Sequence, residues 1–458
     1  MSTLEAAPAD PSPAARRAVI EIDHALGVLS GGRACRVGLT TYRHENLSPL
    51  RSVDLIASAE NPEENVFFPY LDTLVSDILT RHAPDVVGIS VTFLDQALTA
   101  FALAGLVRER APRVRIVLGG GLVTSWVKGP CRDNPFAGVA DELVAGPGEE
   151  FVLGLAGIRK PAAISPPPAY EPFTGNAYLS PGLVLPYATS TGCYWGRCSF
   201  CPEKAEGSSF VALDPSTVIE QVETLHESLH PCLVHFTDNA MSPSLLRSLA
   251  HRGLGVPWYG FARVTPELAD PDFCRSLRSS GCVMLQLGIE SGDQDVLDEL
   301  HKGIRLEDAS VVLTSLHEAG IGTYVYLLFG TPAENEASAR RTLAFTEAHA
   351  PLIDFLNLAV FTMPRFSEEA ASLPTYDFSE ADLSLYRGFV HPRGWDRTRV
   401  RRFLDREFRQ NQAVARILRN DPPFFTSSHA PFFLMHRRGT PPGTSARLVP
   451  DSASGPRS

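Results

Sequence analysis

Short continuous apolar runs alternate with amphipathic stretches in two parts of this chain. In the first part, residues 85–91 and 115–121 read as strands, and Arg36-Val37-Gly38-Leu39-Thr40 as a shorter one. Helical periodicity fills the intervals, ending near His82-Ala83-Pro84 and running again from Leu94 to Arg110. Runs apolar on both faces, separated by helices, predict parallel strands covered on both sides. Residues 17–160 are therefore expected to form a doubly wound, Rossmann-like α/β sheet.

The second part shows six strand-like runs, at 183–189, 233–236, 258–262, 284–288, 324–329 and 355–360. Helical patterns lie between them, for example over 214–228, 270–280 and 306–319. Asp214-Pro215 and Asp270-Pro271 have the form of an N-cap followed by proline at the first helical position. Six such units predict a partial (β/α)6 barrel over residues 181–370, with reactive groups gathered at the C-terminal ends of the strands.

The remaining segments set the boundaries. Residues 1–16 and 439–458, rich in small and polar residues and proline, are expected to be disordered. Three consecutive prolines at 166–168 stop any helix or central strand, so 161–180 reads as a linker. Residues 371–438 form a small, mainly helical accessory region. Its basic run from Arg393 to Arg409 reads as a solvated face, with recognition of an anionic substrate group as the alternative. The aromatics of 422–425 and 431–434 either cap the core or close over substrate.

Composition narrows the function. A hydrophobic content of 44% supports substantial cores, and a net charge of −11 gives no basic surface for nucleic acid. No apolar run reaches the roughly 18–20 residues needed to span a membrane. The N-terminus lacks a basic region followed by an apolar core, so a cytoplasmic protein is expected.

The strongest chemical signal is Thr191-Gly192-Cys193-Tyr194-Trp195-Gly196-Arg197-Cys198-Ser199-Phe200-Cys201. Three thiolates on one tight loop can hold three irons of a [4Fe-4S] cubane, leaving the fourth iron open to a small molecule. A structural zinc would need a fourth ligand, for which His235 is best placed in sequence. A disulfide framework lacks regular cysteine spacing. The five other cysteines are scattered singly and read as small buried hydrophobes.

The cysteine run, with Phe200 before its last cysteine, resembles that of the radical S-adenosylmethionine (SAM) superfamily. The later strand ends resemble the same superfamily: Phe236-Thr237-Asp238-Asn239, Gly288-Ile289-Glu290-Ser291-Gly292 and Phe329-Gly330-Thr331-Pro332. The first spacing departs from the usual pattern by one added residue. The resemblance implies that Cys193, Cys198 and Cys201 hold the cluster. It implies that Phe200, Asp238, Arg263, Glu290, Ser291 and Gly330 lie around SAM, Asp238 by accepting its ammonium. An N-cap role is the alternative for Asp238. The first part resembles the cobalamin-binding domain in front of many such enzymes, in Ser90, Thr92, Gly119, Gly120, Gly121 and Gly146, and in the run Tyr42 to Leu47. The Asp-x-His-x-x-Gly cobalt-ligand signature is absent, so no cobalt ligand is named, and a domain of this fold without cobalamin is the alternative.

These resemblances imply an enzyme that cleaves SAM reductively, forms a 5′-deoxyadenosyl radical and abstracts hydrogen from a small-molecule or peptide substrate. A flavodoxin- or ferredoxin-like donor would supply the electron. Cobalamin-dependent C-methylation is expected first. The alternatives are cobalamin-independent dehydration, deoxygenation or rearrangement of a sugar-type substrate, and a non-catalytic iron–sulfur protein.

Overall fold

The computed structural model describes residues 13–31, 34–131, 133–158, 166–176, 178–378 and 380–438. Its centre is a six-stranded, all-parallel sheet of Val184–Tyr187, Leu233–Phe236, Trp258–Ala262, Cys282–Glu290, Gly322–Phe329 and Phe355–Val360. The strands neighbour one another in sequence order, so the sheet is an open barrel wall. Helices Pro215–Leu229, Pro243–Arg252, Pro271–Ser279, Leu306–Glu318 and Glu336–Ala348 cover its outer face. Asp214 and Asp270 cap their helices as the sequence predicts, accepting the amide hydrogens of Ser216 and Asp272.

The N-terminal α/β unit has a parallel sheet of Val86–Ser90, Arg115–Gly119 and Glu142–Leu143. Helices Ser52–Glu60, Phe68–His82 and Ala97–Arg110 accompany it, and Phe101, Trp126 and Phe136 are fully buried in its core. The run at Arg36 does not join this sheet. Cys35–Val37 folds back antiparallel on Tyr42–His44, because only four residues separate the two strands and a parallel crossover needs a helix. A helix over Pro13–Ser30 occupies the end of the segment expected to be disordered, while residues 1–12 of that expectation lie outside the described residues. So do 439–458 and residues 161–165 of the linker.

Two features complete the architecture. Met363–Pro364, Thr375–Tyr376 and Tyr386–Phe389 form a small antiparallel sheet. The helix Thr426–Arg437 packs Phe432, Leu434 and Met435 against Leu233, Met284, Tyr324 and Phe355. Leu434 lies over Gly322, the first residue of the fifth strand, so this helix stoppers the N-terminal end of the barrel. The aromatics of 431–434 thus cap the core and do not close over the mouth. The basic run is mainly a solvated face. Val400, Phe403, Leu404 and Phe408 turn inward, while Arg393 pairs with Glu299 and Arg409 with Asp405.

Candidate functional site

The first barrel strand ends at Tyr187, and the chain then enters the cysteine loop at the C-terminal end of the barrel. Asp238, just beyond the second strand and 2% exposed, anchors the entry to this loop. Its carboxylate accepts from the Thr189 amide at 3.2 Å, from the Thr189 hydroxyl at 2.6 Å and from the Ser190 hydroxyl. The next helix is capped by Ser242, so the N-cap alternative for Asp238 fails. Among the described residues, these hydrogen bonds to Asp238 all come from the chain leading into the cysteines.

Cys198 is buried, and Cys193 and Cys201 are half-buried. Burial pushes the thiols of Cys198 and Cys201 up, and Cys201 also feels the charges of Cys198 and Cys193. For Cys198, Lys302 and Arg263 act in the opposite direction. Among the described residues no three His, Cys, Asp or Glu side chains converge on one point as a single ion would require. Three free thiols on one loop are the donor set that a [4Fe-4S] cubane takes, one thiolate at each of three corners. His235, the possible fourth zinc ligand, is stacked on Tyr259 at 4.3 Å inside the barrel.

The added residue in the first cysteine spacing has a structural reason. Trp195 leaves the loop, donates its indole hydrogen to the His301 carbonyl at 2.9 Å and lies against Gly303. A Cβ at Gly303 would fall 2.0 Å from the Trp195 ring. Arg263 stacks on the same ring at 4.5 Å and Arg197 at 5.0 Å. Gly196, with φ +59°, makes the turn that sends the chain back towards Cys198.

Glu290 reaches the site through a bulge in the fourth strand, in a left-handed conformation (φ +70°) that is costly for a residue with a side chain. It pairs with Lys302 at 2.8 Å, both side chains being largely buried. The pair folds over Gly288, where a Cβ would meet Glu290 at 2.5 Å and Lys302 at 2.8 Å. Lys302 also faces the Phe200 ring at 5.7 Å. Ser291 is a correction. Its hydroxyl is 3.2 Å from that of Thr342 on an outer helix and accepts from the Asp293 amide, so it braces the bulge from behind. Gly330 follows the fifth strand and donates its amide hydrogen to the buried Glu334.

Below this charged ring the barrel interior is neutral. Gln286 donates to the Tyr326 hydroxyl at 2.9 Å, and Tyr326 packs against Phe261. Gln286 and Tyr259 are fully buried, and among the described residues the Gln286 carbonyl oxygen and the Tyr259 hydroxyl have no hydrogen-bond partner. Burial lowers the His235 pKa to about 4, which keeps it uncharged at neutral pH.

In the N-terminal unit the predicted pocket residues meet at the C-terminal edge of the sheet. Ser90, Thr92 and Gly121 are exposed, and Gly119, Gly120 and Gly146 half-buried. The Gly146 amide donates to the Thr124 hydroxyl at 2.9 Å, joining the loop after the third strand to the helix Gly121–Lys128. A bed of small residues on converging loops fits the flat edge of a corrin. The helix Gly121–Lys128 leads from that bed to the cysteine loop. Ser125 donates to Glu206 at 2.7 Å and Lys128 to the Ser208 hydroxyl at 3.1 Å, both just beyond Cys201. No side chain offers itself for cobalt from the first-loop sequence, since His44 Nδ1 accepts the amides of Asn46 and Leu47.

Sequence reasoning missed Trp195, Lys302, Tyr259 and Gln286. The extra spacing residue and the Lys302-Gly303 pair after the fourth strand carried a faint signal for the first two; nothing in the sequence marked the others.

Residues 187–346 match the Radical SAM superfamily. An uncharacterized methyltransferase of Pyrococcus horikoshii is 22% identical over 307 residues, covering 60% of this chain and 66% of that protein. The bacteriochlorophyllide d C-12(1)-methyltransferase of Chlorobaculum tepidum is 28% identical over 218 residues, 44% of this chain and 46% of its own length. The chain thus spans less than two thirds of these curated relatives. Among solved structures, the radical SAM methyltransferase TsrM of Kitasatospora setae, with cobalamin and [4Fe-4S] cluster bound, superposes with a TM-score of 0.51 at 19% identity over 72% of each chain. The cobalamin-dependent SAM radical enzyme OxsB, with aqua-cobalamin, gives 0.53 at 14% identity over 70% of this chain and 58% of its own. These likenesses establish a shared fold: an N-terminal α/β unit, a barrel and a helical C-terminal region. No helix among the described residues is long and apolar enough to cross a membrane.

Proposed function

We propose that this chain, whose residues 187–346 are a Radical SAM superfamily domain, is a cobalamin-dependent radical SAM methyltransferase acting on a small molecule or peptide. Cys193, Cys198 and Cys201 would hold a [4Fe-4S] cluster, and Ser90, Thr92, Gly119, Gly120, Gly121 and Gly146 would hold cobalamin. When bound, these groups supply one-electron cleavage of SAM and a transferable methyl group.

The chain's own residues orient and insulate that chemistry. Asp238 fixes the entry of the cysteine loop. Glu290 and Lys302 present a neutralised pair at the mouth, and Gly330 makes the turn after the fifth strand with its amide held by Glu334. Deeper in the barrel, uncharged His235, Tyr259, Gln286 and Tyr326 would offer hydrogen bonds to a polar substrate. The observation that supports the two-cofactor reading most directly is the Ser125–Glu206 bond, which ties the helix after Gly121 to the residues after Cys201.

The test is anaerobic reconstitution with iron, sulfide and cobalamin. The expected results are a cluster whose electron paramagnetic resonance (EPR) signal changes on adding SAM, retained cobalamin absorbance, and both 5′-deoxyadenosine and S-adenosylhomocysteine as products. A responding cluster with no cobalamin and no S-adenosylhomocysteine would favour dehydration or rearrangement instead.

A further inference from the structure

The Arg263 side chain is 7% exposed, and among the described residues no carboxylate pairs with it. One arm of the guanidinium points at the Cys198 sulfur from 3.9 Å, and the other donates to the Lys302 carbonyl. Its flat face lies on Trp195. Trp195 is in turn fixed by the His301 carbonyl and by the missing Cβ of Gly303. The neighbouring cation, Lys302, already has a partner in Glu290.

A buried cation without an anion is expensive, and a lone sulfur contact is a weak substitute for one. A cubane with three thiolates carries net negative charge at this same sulfur and gains a further unit on reduction. A fixed positive charge and an N–H directed at a ligating sulfur both favour the reduced cluster. A direct bond from Arg263 to SAM is the competing role. It would have to use the guanidinium hydrogens that the Cys198 and Lys302 contacts leave over.

We propose that Arg263 is the counter-ion of the cluster and sets its reduction potential, with Trp195 as the residue that positions it. This rests on the cluster reading above. It extends that reading by assigning the lengthened cysteine spacing a purpose: the added residue lets the loop deliver Trp195 to Arg263.

The experiment is an EPR-monitored redox titration of the reconstituted protein, with and without SAM, on wild type, R263Q, R263K and W195A. At a poise that half-reduces the wild-type cluster, R263Q should be mostly oxidised at equal iron and sulfide content, whether or not SAM is present. R263K, which keeps the charge, should lie between the two. W195A should move in the same direction as R263Q. If R263Q cannot retain a cluster, W195A and R263K decide, and an unmoved potential in W195A overturns the proposal. A potential unchanged in R263Q, or a defect seen only as weakened SAM binding, also overturns it. A wild type without a SAM-responsive cluster would instead defeat the underlying cluster reading, which separates the two failures.

Discussion

Ser125 on the N-terminal unit donates to Glu206, five residues past Cys201, at 2.7 Å, so one side-chain bond joins the predicted cobalamin edge to the cluster loop. Replacing Ser125 with alanine should cost about 1 kcal/mol. Hydrogen exchange should then rise together in 121–128 and 202–206. Exchange that rises in one segment alone would show that the two do not move as a unit.

Each of C193A, C198A and C201A should lose the cluster, measured as bound iron and sulfide after reconstitution. C232A and C274A should keep it, because these cysteines lie outside the loop. Burial pushes the Cys232 thiol up to about 11 and that of Cys274 up to about 12, leaving both as thiols. Iron loss in either control would mean that the ligand set is wrong.

Asp238 accepts three hydrogen bonds from Thr189 and Ser190. Asparagine there removes the charge and turns one acceptor into a donor, at a cost of roughly 1.5–3 kcal/mol for hydrogen bonds to a charged group. D238N should hold less iron than wild type but more than any of the three cysteine variants. Full occupancy with normal stability would show that the loop needs no anchor.

Lys302 and Glu290 form a pair with side chains only 7% and 13% exposed. K302M leaves a buried carboxylate without its partner and should cost about 3–5 kcal/mol in denaturant unfolding. The double variant K302M/E290Q should recover much of that. If the double variant is as unstable as the single one, packing and not charge governs the site.

Two buried groups should bend the stability curve in opposite directions. Burial lowers the His235 pKa to about 4, so the unfolded chain binds the extra proton and stability is lost as pH falls from about 6.5 towards 4. That is about 3 kcal/mol over the window. Burial raises Glu334 to about 7, so its contribution is complete below about 4.5 and is lost as pH rises through 7. H235Q should flatten the acid side and E334Q the neutral side. The measurement is urea unfolding between pH 4 and 7.5, and unchanged slopes in both variants would refute these assignments.

The barrel was legible because its six strands are short, mostly apolar runs separated by helices with cap signals such as Asp214-Pro215, where local chemistry and fold agree. The cysteine loop was legible for the same reason, since its spacing is itself the chemistry. Arg36–Thr40 misled because an apolar run does not reveal its partner, and a short return to Tyr42 outcompeted the long crossover. Ser291 misled because a one-residue bulge at Glu290 decides which side of the sheet the next side chain faces. Arg263, Lys302 and Trp195 lie far apart in sequence, and only the closed loop-to-strand geometry brings them to one sulfur.

The contact of Trp195 with Gly303 also binds the histories of two distant positions. Gly303 lies at φ +67°, so the turn favours glycine on its own account, and a Cβ there would also fall 2.0 Å from the indole. A chain with the shorter cysteine spacing and no indole loses the second constraint and keeps the first, so a residue that tolerates the left-handed turn, such as asparagine, becomes admissible. Asparagine at 303 among this protein's kin should therefore occur only where the tryptophan is absent.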